Sequence, residues 1–146
     1  MSNLKIATFN CRSVKTSVDE VRKLCDDNDI VCLQEHWLLP NELHILSTIH
    51  PEFVANGISA VDISKELLVG RPYGGTAILY RQTISKVVNV ITCNDSRITG
   101  VLIQSQFVPI LLLCVYMPTN RGDDESLESC IDTCSIFVLS LLTLMH

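Results

Sequence analysis

Two short strings stand where apolar runs end, Thr8-Phe9-Asn10-Cys11-Arg12-Ser13 and Cys32-Leu33-Gln34-Glu35-His36-Trp37. Strand ends are where α/β folds place reactive groups, because the residues that follow a buried strand emerge together at one rim of the sheet. Leu4 to Phe9 and Ile30 to Leu33 read as strands with an amphipathic helix between them. Such a unit makes a parallel pair, since two strands joined through a helix run the same way. Asn10 and Glu35 then leave the sheet at the same edge, an amide beside a carboxylate.

The composition supports one globular domain. The chain has 146 residues, 47% hydrophobic and 18% charged, enough for one packed core and too short for two. Ser2, Asn3 and Lys5 interrupt any apolar leader, so the expected location is intracellular, nucleus or cytoplasm, and not secreted. Seven cysteines with no Cys-x-x-Cys pair read as reduced core thiols, and Cys130 with Cys134 is a single pair on a helical stretch, not a zinc site. Asn94-Asp95-Ser96 reads as a turn. The net charge of −5 argues against holding nucleic acid by bulk electrostatics, although a divalent cation bound at an acidic centre reverses the field locally.

Along the chain, Ser17 and Glu20 have capping-box spacing, and Val18, Val21, Leu24 and Cys25 share one helical face. Ile30-Val31-Cys32-Leu33 reads as a strand buried on both sides. Pro40 and Asn41 open a second helix to Ile49, with Leu43, Leu46 and Ile49 inward. Phe53 to Ala55 is a short strand, and within the mixed stretch that follows, Lys65 to Val69 reads as either a strand or a helical turn. Gly75 to Arg81, Ser85 to Ile91, Ile98 to Gln104 and Val108 to Tyr116 read as mostly antiparallel strands. From Asp124 the chain begins acidic and becomes apolar after Ile136, in a run shorter than the roughly 18 residues of a membrane span. Trp37 reads as packing, Arg81 and Arg121 as surface charges, and Gly74-Gly75 as a tight turn; His36, His44 and His50 show no ligand spacing.

The order Phe9-Asn10-Cys11-Arg12-Ser13, Leu33-Gln34-Glu35 with Trp37-Leu38, Gly74-Gly75-Thr76-Ala77-Ile78 and Val115-Tyr116-Met117-Pro118 resembles the endonuclease/exonuclease/phosphatase superfamily. Within it, the chain is most similar to the apurinic-endonuclease-like domain of non-LTR retrotransposons. The resemblance implies an α/β fold, the four-layer α/β-sandwich of the deoxyribonuclease-I-like type, truncated at its C-terminal side. It implies Glu35 as metal ligand, Asn10 and Tyr116 as catalytic residues beside metal and phosphate, Mg²⁺ or Mn²⁺ as cofactor, and DNA as partner. Arg12 either reaches a phosphate or is an ordinary solvated charge.

The chain departs from the family pattern in lacking the later Asp-x-Asn and the closing Ser-Asp-His strings. Asp26-Asp27-Asn28 has the letters of the first but precedes the second strand, where it reads as a solvated helix end, and His146 has no Asp before it. The expectation is therefore a single incomplete domain over residues 1–146, a truncated Mg²⁺-dependent phosphodiesterase of retroelement origin with little or no turnover alone. Two alternatives stand beside it. One is a non-catalytic remnant that binds or dimerises through an exposed sheet edge and its apolar C-terminal segment. The other is a phosphatase or phospholipid phosphodiesterase of the same superfamily.

Overall fold

A run such as Ile30-Val31-Cys32-Leu33 is stable only where both of its faces are covered, and this strand lies at the centre of the molecule with all four residues buried. The structure, a computed structural model, describes residues 3–61, 74–117, 128–136 and 138. In chain order these form β1 (Ile6–Asn10), α1 (Val18–Asp27), β2 (Ile30–Gln34), a 3₁₀ helix (Pro40–Thr48), β3 (Phe53–Ile58), β4 (Thr76–Arg81), a 3₁₀ turn (Gln82–Val87), β5 (Val88–Ile91), β6 (Ile98–Ile103) and β7 (Ile110–Val115). A last helical segment spans 128–136.

Two sheets stack. The first has the order β1-β2-β4-β3, with β1 parallel to β2 and the other pairs antiparallel; the second is the antiparallel meander β5-β6-β7. Side chains alternate across each strand, so the buried residues divide into two cores. Val31, Leu33, Ala77 and Leu79 face the helices and meet Val21, Cys25, Leu46 and Ile49. Ile30, Cys32, Ile78 and Tyr80 face the second sheet and meet Val88, Val101, Ile103 and Cys114. The mixed α/β sandwich expected from the sequence is the observed architecture.

Polar contacts fix the sheets against each other at one end. Thr76 and Thr99 place their hydroxyls 2.7 Å apart, and the Thr99 hydroxyl also donates to the Thr76 carbonyl at 3.1 Å. The Gln34 amide donates to the Thr8 hydroxyl at 2.9 Å and to Cys114 Sγ at 3.3 Å, while that thiol donates to the Leu33 carbonyl at 3.2 Å. Unlike apolar contacts, such bonds are directional and set one register between sheets. Just before β6, the Arg97 guanidinium grips Asp95 through two bonds of 2.8 and 2.6 Å and holds its carboxyl below the usual carboxylate range.

Several expectations need correction. Ser17 does precede α1, yet its hydroxyl donates backward to the Ser13 carbonyl at 2.9 Å and makes no cap to the helix, so the Ser17/Glu20 capping box is not formed. The second helix is 3₁₀; its start is closed by Glu42, which accepts from the Leu39 amide at 3.0 Å. The strand foreseen from Ser85 begins only at Val88, because Gln82–Val87 winds into a 3₁₀ turn. The four later strands are antiparallel to their neighbours as expected, and they divide between the sheets, with β4 inserted between β2 and β3. Lys65 to Val69, Arg121 and His146 lie outside the described residues.

Arg81 is no surface charge. Its guanidinium donates to the carbonyls of Cys25 and Asn28, both at 2.8 Å, and to the Glu52 carboxylate at 3.1 Å, and it lies 4.8 Å from the Phe53 ring centroid. One side chain thereby closes the C-terminal turn of α1 onto the end of β4. Two half-buried carbonyls would lose charged donors in Arg81→Met, so that variant is expected to lose about 2–3 kcal/mol of stability. Urea denaturation followed by circular dichroism checks this, and an unchanged midpoint would show that water replaces the guanidinium at no cost.

Candidate active site

In a parallel ladder, strands that start level also end level, and here Ile6 pairs with Ile30 and Asn10 with Gln34. Beyond those last pairs the two chains stay zipped as loops. The Cys11 amide donates to the Gln34 carbonyl at 3.0 Å, Ser13 to Glu35 at 2.9 Å, and Val14 to His36 at 3.1 Å. On the other side, the His36 and Trp37 amides reach the Gly75 and Gly74 carbonyls at 3.4 and 3.0 Å. Asn10, Glu35 and the glycine pair are thus held along one rim.

The zipper forces unusual backbone. Arg12, Ser13, Glu35 and Trp37 have φ of +43°, +84°, +56° and +58°, and among the described residues these are the non-glycine positions with positive φ. Each costs on the order of 1 kcal/mol for a residue with a Cβ, and such strain collects where a fold positions chemistry. All four lie on this rim.

His36 sits at its centre, 0% exposed. Its Nδ1 accepts from the Leu38 amide at 3.0 Å, which leaves Nε2 to donate to the Ile58 carbonyl at 2.8 Å. Burial pushes its pKa below the ordinary histidine value, in keeping with a neutral ring bonded at both nitrogens. The ring lies over Gly75, whose φ of +90° and missing Cβ make room for it; a methyl there would overlap the imidazole. Beneath Glu35, Cys11 is buried, donates to the Gln34 carbonyl at 3.3 Å, and has its thiol pushed up to about 11, chiefly by burial.

The structure brings the three principal sequence candidates to one end of the sandwich. Asn10 is exposed at the end of β1, and Glu35 is half-buried just past β2. Tyr116 follows β7, half-buried, with its amide on the Arg97 carbonyl at 2.9 Å. It stands two residues beyond Cys114, the thiol bonded to Leu33. Arg12 is exposed on the same rim. Asp26-Asp27-Asn28 is at the opposite end, where Asn28 caps the Leu24 carbonyl at 2.8 Å and Asp26 meets His50 at 2.9 Å. Sequence reasoning missed His36, whose partner at Ile58 is 22 residues away, and the Thr76–Thr99 and Gln34–Cys114 bonds. Only the glycine pair announced itself, as a turn. Among the described residues no group of three or more His, Cys, Asp or Glu side chains is placed to hold a metal ion, and no helix there is long and apolar enough to cross a membrane.

A stacked α/β sandwich with a polar rim at the strand ends defines the class of fold. Residues 7–127 match the model of the Endonuclease/Exonuclease/phosphatase family, and the chain belongs to that family. Among solved structures, a 3′ phosphatase from Neisseria bound to a product DNA hairpin superposes with a TM-score of 0.65 at 18% identity, over 97% of this chain and 53% of the other. TDP2 from C. elegans gives 0.61 at 16% identity, covering 97% and 44%. The endonuclease domain of TRAS1, a telomere-specific non-LTR retrotransposon, gives 0.55 at 13% identity, covering 95% and 54%. The chain therefore spans about half the length of the structures it resembles. No curated protein matches it in sequence.

The close seat of His36 on Gly75 makes a direct forecast. Gly75→Ala must displace the ring or abandon the positive φ, at a cost of about 3 kcal/mol. Chemical denaturation monitored by Trp37, the only tryptophan of the sequence, should show that loss together with a shifted native emission. Wild-type stability would mean that the ring is not seated there.

Proposed function

We propose that this chain carries half of a divalent-cation-dependent phosphodiesterase site of the DNA endonuclease type, of retroelement origin, in a single incomplete domain. What supports the reading is the placement of Asn10, Glu35 and Tyr116 at one end of the sandwich, beside a rim whose backbone is held in strained but hydrogen-bonded form. Mg²⁺ and Mn²⁺ favour oxygen donors and keep several waters, so a single carboxylate with an amide oxygen beside it suits a mostly hydrated ion. Glu35 would hold that ion, with Asn10 beside it. When bound, it would supply charge stabilisation for a phosphate oxygen and its leaving group.

The chain's own groups would orient the phosphate. Asn10 would donate through its amide nitrogen, the Tyr116 hydroxyl would donate from the side of the second sheet, and exposed Arg12 would add a guanidinium for the backbone of DNA. No residue here is assigned as the base that takes a proton from attacking water, since the Ser-Asp-His string that brings the family's catalytic histidine is not in the sequence. Binding of cation and DNA with little turnover is the expected behaviour. The Asn-Cys-Arg-Ser string favours DNA over the phospholipids or phosphomonoesters of other superfamily members.

Titration with Mn²⁺ tests the reading directly, because Trp37 lies two residues from Glu35. Wild type should show saturable quenching of Trp37 emission, and Glu35→Gln should weaken the apparent affinity at least tenfold while leaving the circular dichroism spectrum unchanged. Supercoiled plasmid with Mg²⁺ should be nicked no faster than background. Equal quenching in both proteins would remove Glu35 from the site, and robust nicking abolished by Glu35→Ala would show that the half-site suffices.

A further inference from the structure

The two sheets run out on the same flank. β1 is an edge of the first sheet and β7 an edge of the second, and β7 packs across β2 and β4 whereas β6 packs across β4 and β3, so β7 lies toward the β1 side. Both strands run toward the rim: β1 ends there at Asn10, and Cys114 near the end of β7 pairs with Thr99, which bonds to Thr76 at the rim end of β4. Neither strand, Ile-Ala-Thr-Phe-Asn or Ile-Leu-Leu-Leu-Cys-Val, carries a charge or a proline. Those are the devices by which proteins blunt an exposed edge.

The core between the sheets is also open on this flank. Ile6 shares a face with its neighbour Ile30, and Ile110 with Ile103. Yet Ile6 and Ile110 are 43% and 45% exposed, whereas Ile30 and Ile103 are fully buried. Outward backbone groups follow from the ladders. Cys11 donates inward to β2 and Tyr116 inward to the residue before β6, so by alternation the amides of Ile6 and Thr8, and of Leu111 and Leu113, point away from the sheets. Among the described residues no strand pairs with them.

We propose that this flank is a docking surface for a second copy of the chain, in which β1 pairs with β7 of the partner and β7 with the partner's β1. A two-fold axis parallel to the strands, midway between the sheets, makes both pairings at once because β1 and β7 run the same way. The first sheet's four strands then join three from the partner, and the second sheet's three join four, giving two sheets of seven. Both rims fall at one end. The contact is self-complementary and closed, so it stops at two copies. The second copy offers each open edge an uncharged, proline-free strand running in the same direction. An axis normal to the sheets would instead pair β1 with β1, make sheets of eight and six, and set the rims at opposite ends.

A charge exchange separates these arrangements. Ile6 of one copy lies in the same sheet as the partner's Ile110, at the same end. Sedimentation velocity over a wide concentration range should give a species of twice the chain mass for wild type and a single-chain species for Ile6→Lys or Ile110→Glu alone. An equimolar mixture of the two variants should recover the doubled mass, because one seam then holds Lys against Glu and the other is native. A wild-type chain that stays single throughout overturns the proposal, as does a mixture that fails to associate while both variants keep the native circular dichroism spectrum. Should either variant not fold, amide exchange on wild type decides: Thr8 and Leu113 amides gain at least tenfold protection on concentration if the flank is paired, and unchanged exchange overturns the proposal.

Discussion

The candidate site depends on one constraint, the continuation of the β1–β2 ladder past the end of both strands. Regular pairing would stop at Asn10 and Gln34, and the chains would part toward solvent. Instead three further amide-to-carbonyl bonds keep the loops in step, and four residues accept left-handed backbone to make them. Each bond contributes on the order of 1 kcal/mol net, and each strained residue costs a similar amount. The balance is close, so the rim needs support from beneath. The buried His36 ring provides it by joining the Leu38 amide to the Ile58 carbonyl across the sheet. Glu35 and Trp37 flank that ring, and their directions follow from where it sits.

The same arrangement explains which parts of the molecule were legible in the sequence. The four-residue apolar run ending at Leu33 declared a strand covered on both faces, and the pair of strands around an amphipathic helix declared parallel pairing. That Asn10 and Glu35 leave the sheet at one edge followed from those two facts; the register that sets Asn10 level with Gln34 did not. The rim conformation did not. Nothing in the letters Glu-His-Trp marks left-handed backbone, because glycine is the usual signal and none stands there. The role of His36 rests on a carbonyl from β3, and Arg81 reads as a solvated charge until α1 is folded against the end of β4. Local signals competed as well: the Ser17 hydroxyl had a nearer acceptor in the Ser13 carbonyl than the helix amides it was expected to cap.

A further asymmetry lies between the two cores. The helix-facing core is closed, with Phe9 of β1 packed against it and α1 covering β2. The core between the sheets is open along β1 and β7, where Ile6 and Ile110 are half in water, and also at β5, where Val90 is half in water beside buried Val101. The rim is held from the inner strands: β2, which leads into Glu35, and β4, which carries Thr76, are central and depend little on the open flank. The polar contacts Thr8–Gln34–Cys114 and Thr76–Thr99 then do for the open core what more apolar packing would otherwise do, fixing the distance between sheets through directional bonds. Because the Gln34 amide touches both edge strands, covering the flank and ordering the rim are coupled. Any polypeptide that pairs with β1 restricts Thr8, and through Gln34 it restricts the residue that precedes Glu35. The open edge and the candidate site are in that sense one structural unit, joined by a single side chain.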